Sequence, residues 1–134
     1  MATPLHRVNP SALAAPSGFS HAVVAEGSRV VFLAGQTGMD GTGAIVRGGL
    51  VAQFEQALGN LLAALAAAGG RPEQLASVTV YIVDMDDYRT RAKEIGAVWR
   101  GLVGRDYPAM AGIGISRLWD AEALVELQGA AVLP

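Results

Sequence analysis

The sequence predicts an α+β fold, a mixed β-sheet with two helices packed on one face. Three observations lead there. Arg29 to Ala34 and Ser77 to Val83 are short runs rich in β-branched and aromatic residues, the composition of covered strands. From Leu50 the apolar period changes to steps of three and four, the signature of an amphipathic helix. The runs then follow one another as two strands, helix, strand, helix, two strands, and a mixture of this kind implies α+β.

Taken in order, His6-Arg7-Val8 reads as a short edge strand before the turn-forming pair Asn9-Pro10. Ser11 to Gly18 holds Pro16 among small residues and reads as extended loop. Phe19 to Ala25 is expected as a strand that Glu26-Gly27-Ser28 folds back onto Arg29 to Ala34, making a hairpin. Gly35 to Gly43 carries four glycines in nine residues. With no Gly-Lys-Ser/Thr ending and no G-x-G-x-x-G pattern, it is a turn-rich connector, not a phosphate loop.

Leu50, Val51, Phe54, Leu58, Leu61, Leu62 and Leu65 form one apolar stripe, and Gly69-Gly70 stops the helix that carries it. Pro72-Glu73-Gln74 is a short turn. After the Ser77 to Val83 strand come Asp84, Asp86 and Asp87. Three acids so close invite a metal reading, but no further ligands lie nearby, and an N-cap with its first helical turn explains them better. Tyr88 to Leu102 is the second helix, with Ile95, Val98, Trp99 and Leu102 on one side. Ala123 to Leu133 is the last strand.

The stretch Asp106 to Leu118 precedes it. Pro108 lacks a backbone donor and suits the first residue of a strand. Gly112 and Gly114 leave the backbone bare, either as a poorly packed buried strand or where a ligand or another chain comes close.

Composition narrows the function classes. The 134 residues are expected to form a single domain, 1–134, with 1–17 an extended N-terminal segment. Half the chain is hydrophobic and 16% is charged, which excludes disorder. The net charge is −2 with no basic run, so a nucleic-acid partner has no electrostatic footprint. Zero cysteines remove disulfides, thiolate catalysis and Cys-ligated zinc, in keeping with a reducing, cytoplasmic location. Met1 to Pro16 offers no targeting signal, the nearly apolar run Leu61 to Ala68 is too short to span a bilayer, and a soluble protein without a membrane partner is expected. The sheet face away from the helices is also apolar, and a second copy of the chain in a closed ring is its simplest cover.

These features together resemble the Rid family (YjgF/YER057c/UK114), whose founders are enamine/imine deaminases. The residues that carry the resemblance are Val31-Phe-Leu-Ala-Gly35-Gln36, the helix ending Ala66-Ala-Ala-Gly69, and Val78 to Tyr88 with its Asp84-Met-Asp86 core. Tyr107-Pro108-Ala109, Arg117-Leu118 and Val125-Glu126-Leu127-Gln128-Gly129-Ala130 complete it, over about Gly18 to Val132. The resemblance implies a chorismate-mutase-like fold, a homotrimer, small-molecule ligands in the clefts between subunits, and no cofactor or metal.

It also assigns roles to positions. Deaminating members hold an arginine directly after Pro-Ala, where a planar, bidentate cation clamps the substrate carboxylate. Here that position is Met110, whose thioether fills space without charge. Those members carry a glutamate in the last strand for the hydrolytic water, and here Gln128 stands there, able to hydrogen-bond but not to exchange a proton. Glu126 lies two residues earlier on the same strand face, either as a displaced acid or simply alongside Gln128. The backbone N–H groups around Ala111 and Gly112 match those that contact substrate. Ser20 or His21 takes the place of an aromatic after Gly18, and Arg117 is either an alternative cation or a structural residue.

Two main readings follow. One is a Rid-like hydrolase acting on an imine, an enamine or a related small carbonyl derivative. The other is a non-catalytic ligand-binding or regulatory trimer using the same clefts. Ribonuclease activity is also found within the family, and the acidic charge balance argues against it here.

Overall fold

A computed structural model of the chain describes residues 5–134. The strands are β1 (Leu5–Val8), β2 (Ala22–Ala25), β3 (Arg29–Thr37), β4 (Leu75–Ile82), β5 (Ala109–Gly114) and β6 (Val125–Leu133). The helices are α1 (Leu50–Ala67), α2 (Met85–Thr90) and α3 (Ala92–Leu102), with one 3-10 turn at Pro72–Gln74.

Four strands make a mixed sheet in the order β3-β6-β4-β5. β6 is antiparallel to both β3 and β4, while β5 runs parallel to β4 and forms an edge. The β4 sequence alternates as its strand period requires: Val78, Val80 and Ile82 are buried, and Ser77, Thr79 and Tyr81 turn to the other face. On the buried side lies α1, whose Phe54, Ala57, Leu58, Leu61 and Leu65 are each at most 1% exposed. The expected stripe is therefore the side on which the helix packs. By length and a mean hydropathy of 1.2 this helix could cross a membrane, yet its most apolar residues are spent on the protein core. Gly69 ends it with φ 90°, a left-handed conformation that side chains resist, while the Gly70 amide donates to the Leu65 carbonyl at 2.9 Å.

Three expectations need correction. The hairpin between Phe19–Ala25 and Arg29–Ala34 does not form. Instead β2 is shorter and pairs with β1, as a separate two-stranded ribbon. The reason lies at the ends of the segment: Ser20 N–H donates to the Pro108 carbonyl at 2.9 Å, and Ser28 N–H to the Leu133 carbonyl at 3.1 Å. With Ser20 joined to the β5 end of the sheet and Ser28 continuing the β3–β6 ladder, β2 pairs with β1 and not with β3. The second helix is also broken. Asp84 caps it early by accepting from Asp87 N–H at 3.0 Å, and Arg91 (φ −99°, ψ 14°) separates α2 from α3. Asp87 pairs with Arg91 at 2.9 Å, so the acidic cluster builds a helix start as expected. Finally, the connector after β3 begins later than expected, because β3 continues to Thr37 through an irregularity between Leu33 and Gln36.

The sheet face opposite the helices stays open. Phe32 is 85% exposed there, with Val30 on the same strand and Ile113 on β5 also exposed, and Trp119 in the loop between β5 and β6 is 92% exposed. These are large apolar groups left in contact with water, the condition that marks a surface made for association.

Candidate functional site

The edge strand β5 positions the site. Its entry is held by the N-terminal ribbon: the Tyr107 carbonyl accepts from Ser20 Oγ at 2.7 Å and from Arg7 Nε at 3.1 Å, while Arg7 Nη2 donates to the Asp106 carbonyl. Register then decides which way each residue faces. Met110 pairs with Val78 and Gly112 with Val80, so both lie on the helix side of the sheet. Ala111 pairs with Thr79 and lies on the open side. The Ile115 amide donates to the Ile82 carbonyl at 2.9 Å, and the alternation of a parallel ladder then leaves the Gly112 and Gly114 amides facing the free edge.

Two adjoining cavities open beside this edge. The larger, about 440 Å³, lies between β5 and α3, with Phe54, Ile95, Trp99, Tyr107 and Met110 in its walls. Trp99 and Tyr107 stack with centroids 6.5 Å apart, and Phe54 meets Tyr88 edge-on at 6.3 Å. The smaller, about 190 Å³, is lined by Phe19, Val80, Ala111 and Gly112. Gly18, Tyr88 and Met110 border both. Burial pushes the Tyr88 phenol up to about 12, so it stays a neutral hydrogen-bond donor at ordinary pH. Trp99 Nε1 is buried without an acceptor among the described residues.

The sequence-predicted residues divide accordingly. Met110, Ala111 and Gly112 are brought together, but of the two expected backbone donors only the Gly112 amide faces the free edge, because the parallel ladder turns that of Ala111 toward β4. Gln128 and Glu126 are not with them: Gln128 pairs with Thr79 and Glu126 with Tyr81, on the open face. There Tyr81 Oη donates to Gln128 Oε1 at 3.2 Å, and the Glu126 carboxyl lies so close over Gly35 that a Cβ would approach it to 2.8 Å. Ser20 is buried with its hydroxyl spent on Tyr107. His21 holds the loop before it, its Nε2 donating to the Ala14 carbonyl at 2.8 Å and its ring set edge-on to Phe19. Arg117 borders neither cavity, and its guanidinium donates to the Leu118 and Trp119 carbonyls. The aromatic at the cleft is Phe19, which sequence reasoning passed over in favour of its two successors. The signal was present, since Phe19 directly follows Gly18. Tyr88, Trp99 and Tyr107 were missed because each reads locally as ordinary helix core or turn.

Among the described residues no group of three or more His, Asp or Glu could hold a metal ion. What the arrangement offers is an apolar, aromatic-walled cleft with backbone amides at one edge and a neutral phenol between its two parts. The sequence model of the endoribonuclease L-PSP family matches residues 9–133. The chain belongs to that family, the Rid (YjgF/UK114) proteins.

Its Rid relatives include the RutC family protein UK114 of Drosophila melanogaster, 32% identical over 111 residues, which is 82% of this chain and 75% of that protein. The 2-iminobutanoate/2-iminopropanoate deaminase of Mus musculus is 32% identical over 120 residues, 89% of this chain and 84% of its own. Among solved structures, the Rid protein YyfB of Yersinia pestis, described as of unknown function, superposes with a TM-score of 0.84 at 32% identity. That match covers 96% of this chain and 98% of the other. The expected α+β fold, a mixed sheet with its helices on one face, is the fold of these Rid structures.

Proposed function

We propose that this chain is a Rid-type hydrolase acting on a small imine, enamine or related metabolite in clefts between the subunits of a homotrimer, without a cofactor. The observation that carries this reading is Met110, which walls both cavities at the position where the resemblance implies a carboxylate-binding arginine. A thioether there favours a substrate with no carboxylate at that point. The outward amide of Gly112, in the wall of the smaller cavity, remains available to polarise a C=N or C=O group. Within one chain Gln128 and Met110 diverge, so a ligand touching both needs Gln128 from a second copy, and the exposed Phe32 and Trp119 supply surface for that assembly.

One further reading has an observation in its favour. Gln128 exchanges no proton at neutral pH and is already tied to Tyr81, which suits a trimer that binds a ligand without turning it over. The test is hydrolysis of 2-aminoacrylate, generated in situ, beside a panel of imines with no carboxylate next to the C=N carbon. Slow decay of 2-aminoacrylate with turnover of a panel member is the expected result. Turnover of 2-aminoacrylate at the rate of an arginine-bearing relative would remove the role given to Met110, and no turnover of any imine would leave the binding reading.

A further inference from the structure

We propose that the larger cavity takes an organic monoanion with an aromatic body, its acid group held from helix α3 by Arg100 and Lys93 and not from strand β5. The proposal rests on the reading of these cavities as the ligand site, and extends it to the chemistry of the ligand.

The walls define the body. At about 440 Å³ the cavity lies in the range of small-molecule sites, larger than a three- or four-carbon acid would fill. Its sides are the stacked pair Trp99–Tyr107, the edge-on pair Phe54–Tyr88, and Met110. Flat aromatic faces and a polarizable thioether favour a flat aromatic guest. The phenol of Tyr88, neutral and unpartnered among the described residues, can donate to an acceptor on that guest.

Charge lies at one side only. Lys93 and Arg100 both border the cavity, and no acidic side chain does. Among the described residues the ion pairs involve Arg71 and Arg91, leaving both of these cations unpaired. Gly96, one turn before Arg100 on α3, is what allows the arrangement. The guanidinium lies back over it, so that a Cβ on residue 96 would stand 3.1 Å from Nη1. The absent side chain leaves a seat at the cavity rim for a planar cation, which suits a carboxylate. The positive charge missing from residue 110 is thus present on the opposite wall.

Calorimetric titration of the wild-type protein with 3-phenylpropionate and its neutral analogue 3-phenylpropanamide tests this. The acid is expected to bind about fivefold more tightly than the amide, the scale of partly exposed charge pairs. Arg100→Ala and Lys93→Ala should each weaken the acid about twofold, the two together about fivefold, and leave the amide unchanged. Gly96→Ala should weaken the acid by displacing the guanidinium while raising the Tm, since alanine favours a helix interior. A merely structural role for Gly96 would not move the two readouts in these opposite directions. Equal binding of acid and amide would overturn the proposal, as would an Arg100→Ala/Lys93→Ala variant that binds the acid like wild type, or no binding of either probe at millimolar concentration. No hydrolysis is read, so a protein that binds the acid and turns over no imine removes the enzymatic reading alone.

Discussion

Met110 and Gln128 stand on opposite faces of one sheet, Met110 beside Val78 under the helices and Gln128 beside Thr79 on the open side. Substitution at both therefore tests whether a ligand spans two chains. Met110→Arg with Gln128→Glu is expected to create measurable 2-aminoacrylate hydrolysis, by restoring a carboxylate clamp and an acid that can exchange a proton. Mixed oligomers made from the two single variants should show activity that neither has alone. Activity confined to the double variant, with none in the mixture, would place both groups within one chain and contradict the register.

The open face carries a prediction about assembly. Light scattering should give about three times the 13.8 kDa chain mass. Phe32→Glu, placing a charge where a ring is now 85% exposed, should lower that mass. A wild-type monomer would remove the reason for so apolar a surface.

The buried amide of Gln53 ties α1 to the loop entering β6. Its Nε2 donates to the Glu122 carbonyl at 3.1 Å, and its Oε1 accepts from Leu124 N–H at 2.8 Å. Gln53→Leu should cost about 1–3 kcal/mol, because it strands two backbone groups away from water. Urea unfolding would measure this, with Leu61→Ala, a core truncation expected to cost about 2–5 kcal/mol, as the reference.

Tyr88 predicts an alkaline limit to stability. Its folded pKa is about 12 against an ordinary 10.0, so the native state holds its proton where the unfolded chain releases it. The contribution is whole below pH 10 and is lost as pH rises toward 12. Tm measured across this range should fall less steeply in Tyr88→Phe than in wild type. Identical slopes would show that the phenol is not desolvated.

The elements of this protein are written in short-range patterns. The three- and four-residue steps from Leu50 to Leu65 determine α1 and its buried side, the alternation from Val78 to Ile82 determines β4, and Pro108 with Gly112 and Gly114 marks a strand with bare backbone. Met110 could be singled out because its place after Pro108-Ala109 is a local feature. The tertiary structure decided the rest, because the deciding contacts join distant parts of the chain. The Arg7 to Tyr107 hydrogen bond spans 100 residues and that of Ser20 spans 87, and no local period announces either. Those bonds fix Arg7 of β1 and Ser20 to the entry of β5, and they accompany Phe19 at the cleft. Likewise, strand period placed Glu126 and Gln128 on one face, but only the pairing of β6 and β5 with β4 showed that Met110 lies on the other. Periodicity is a property of neighbours along the chain, whereas a binding site is a property of neighbours in space.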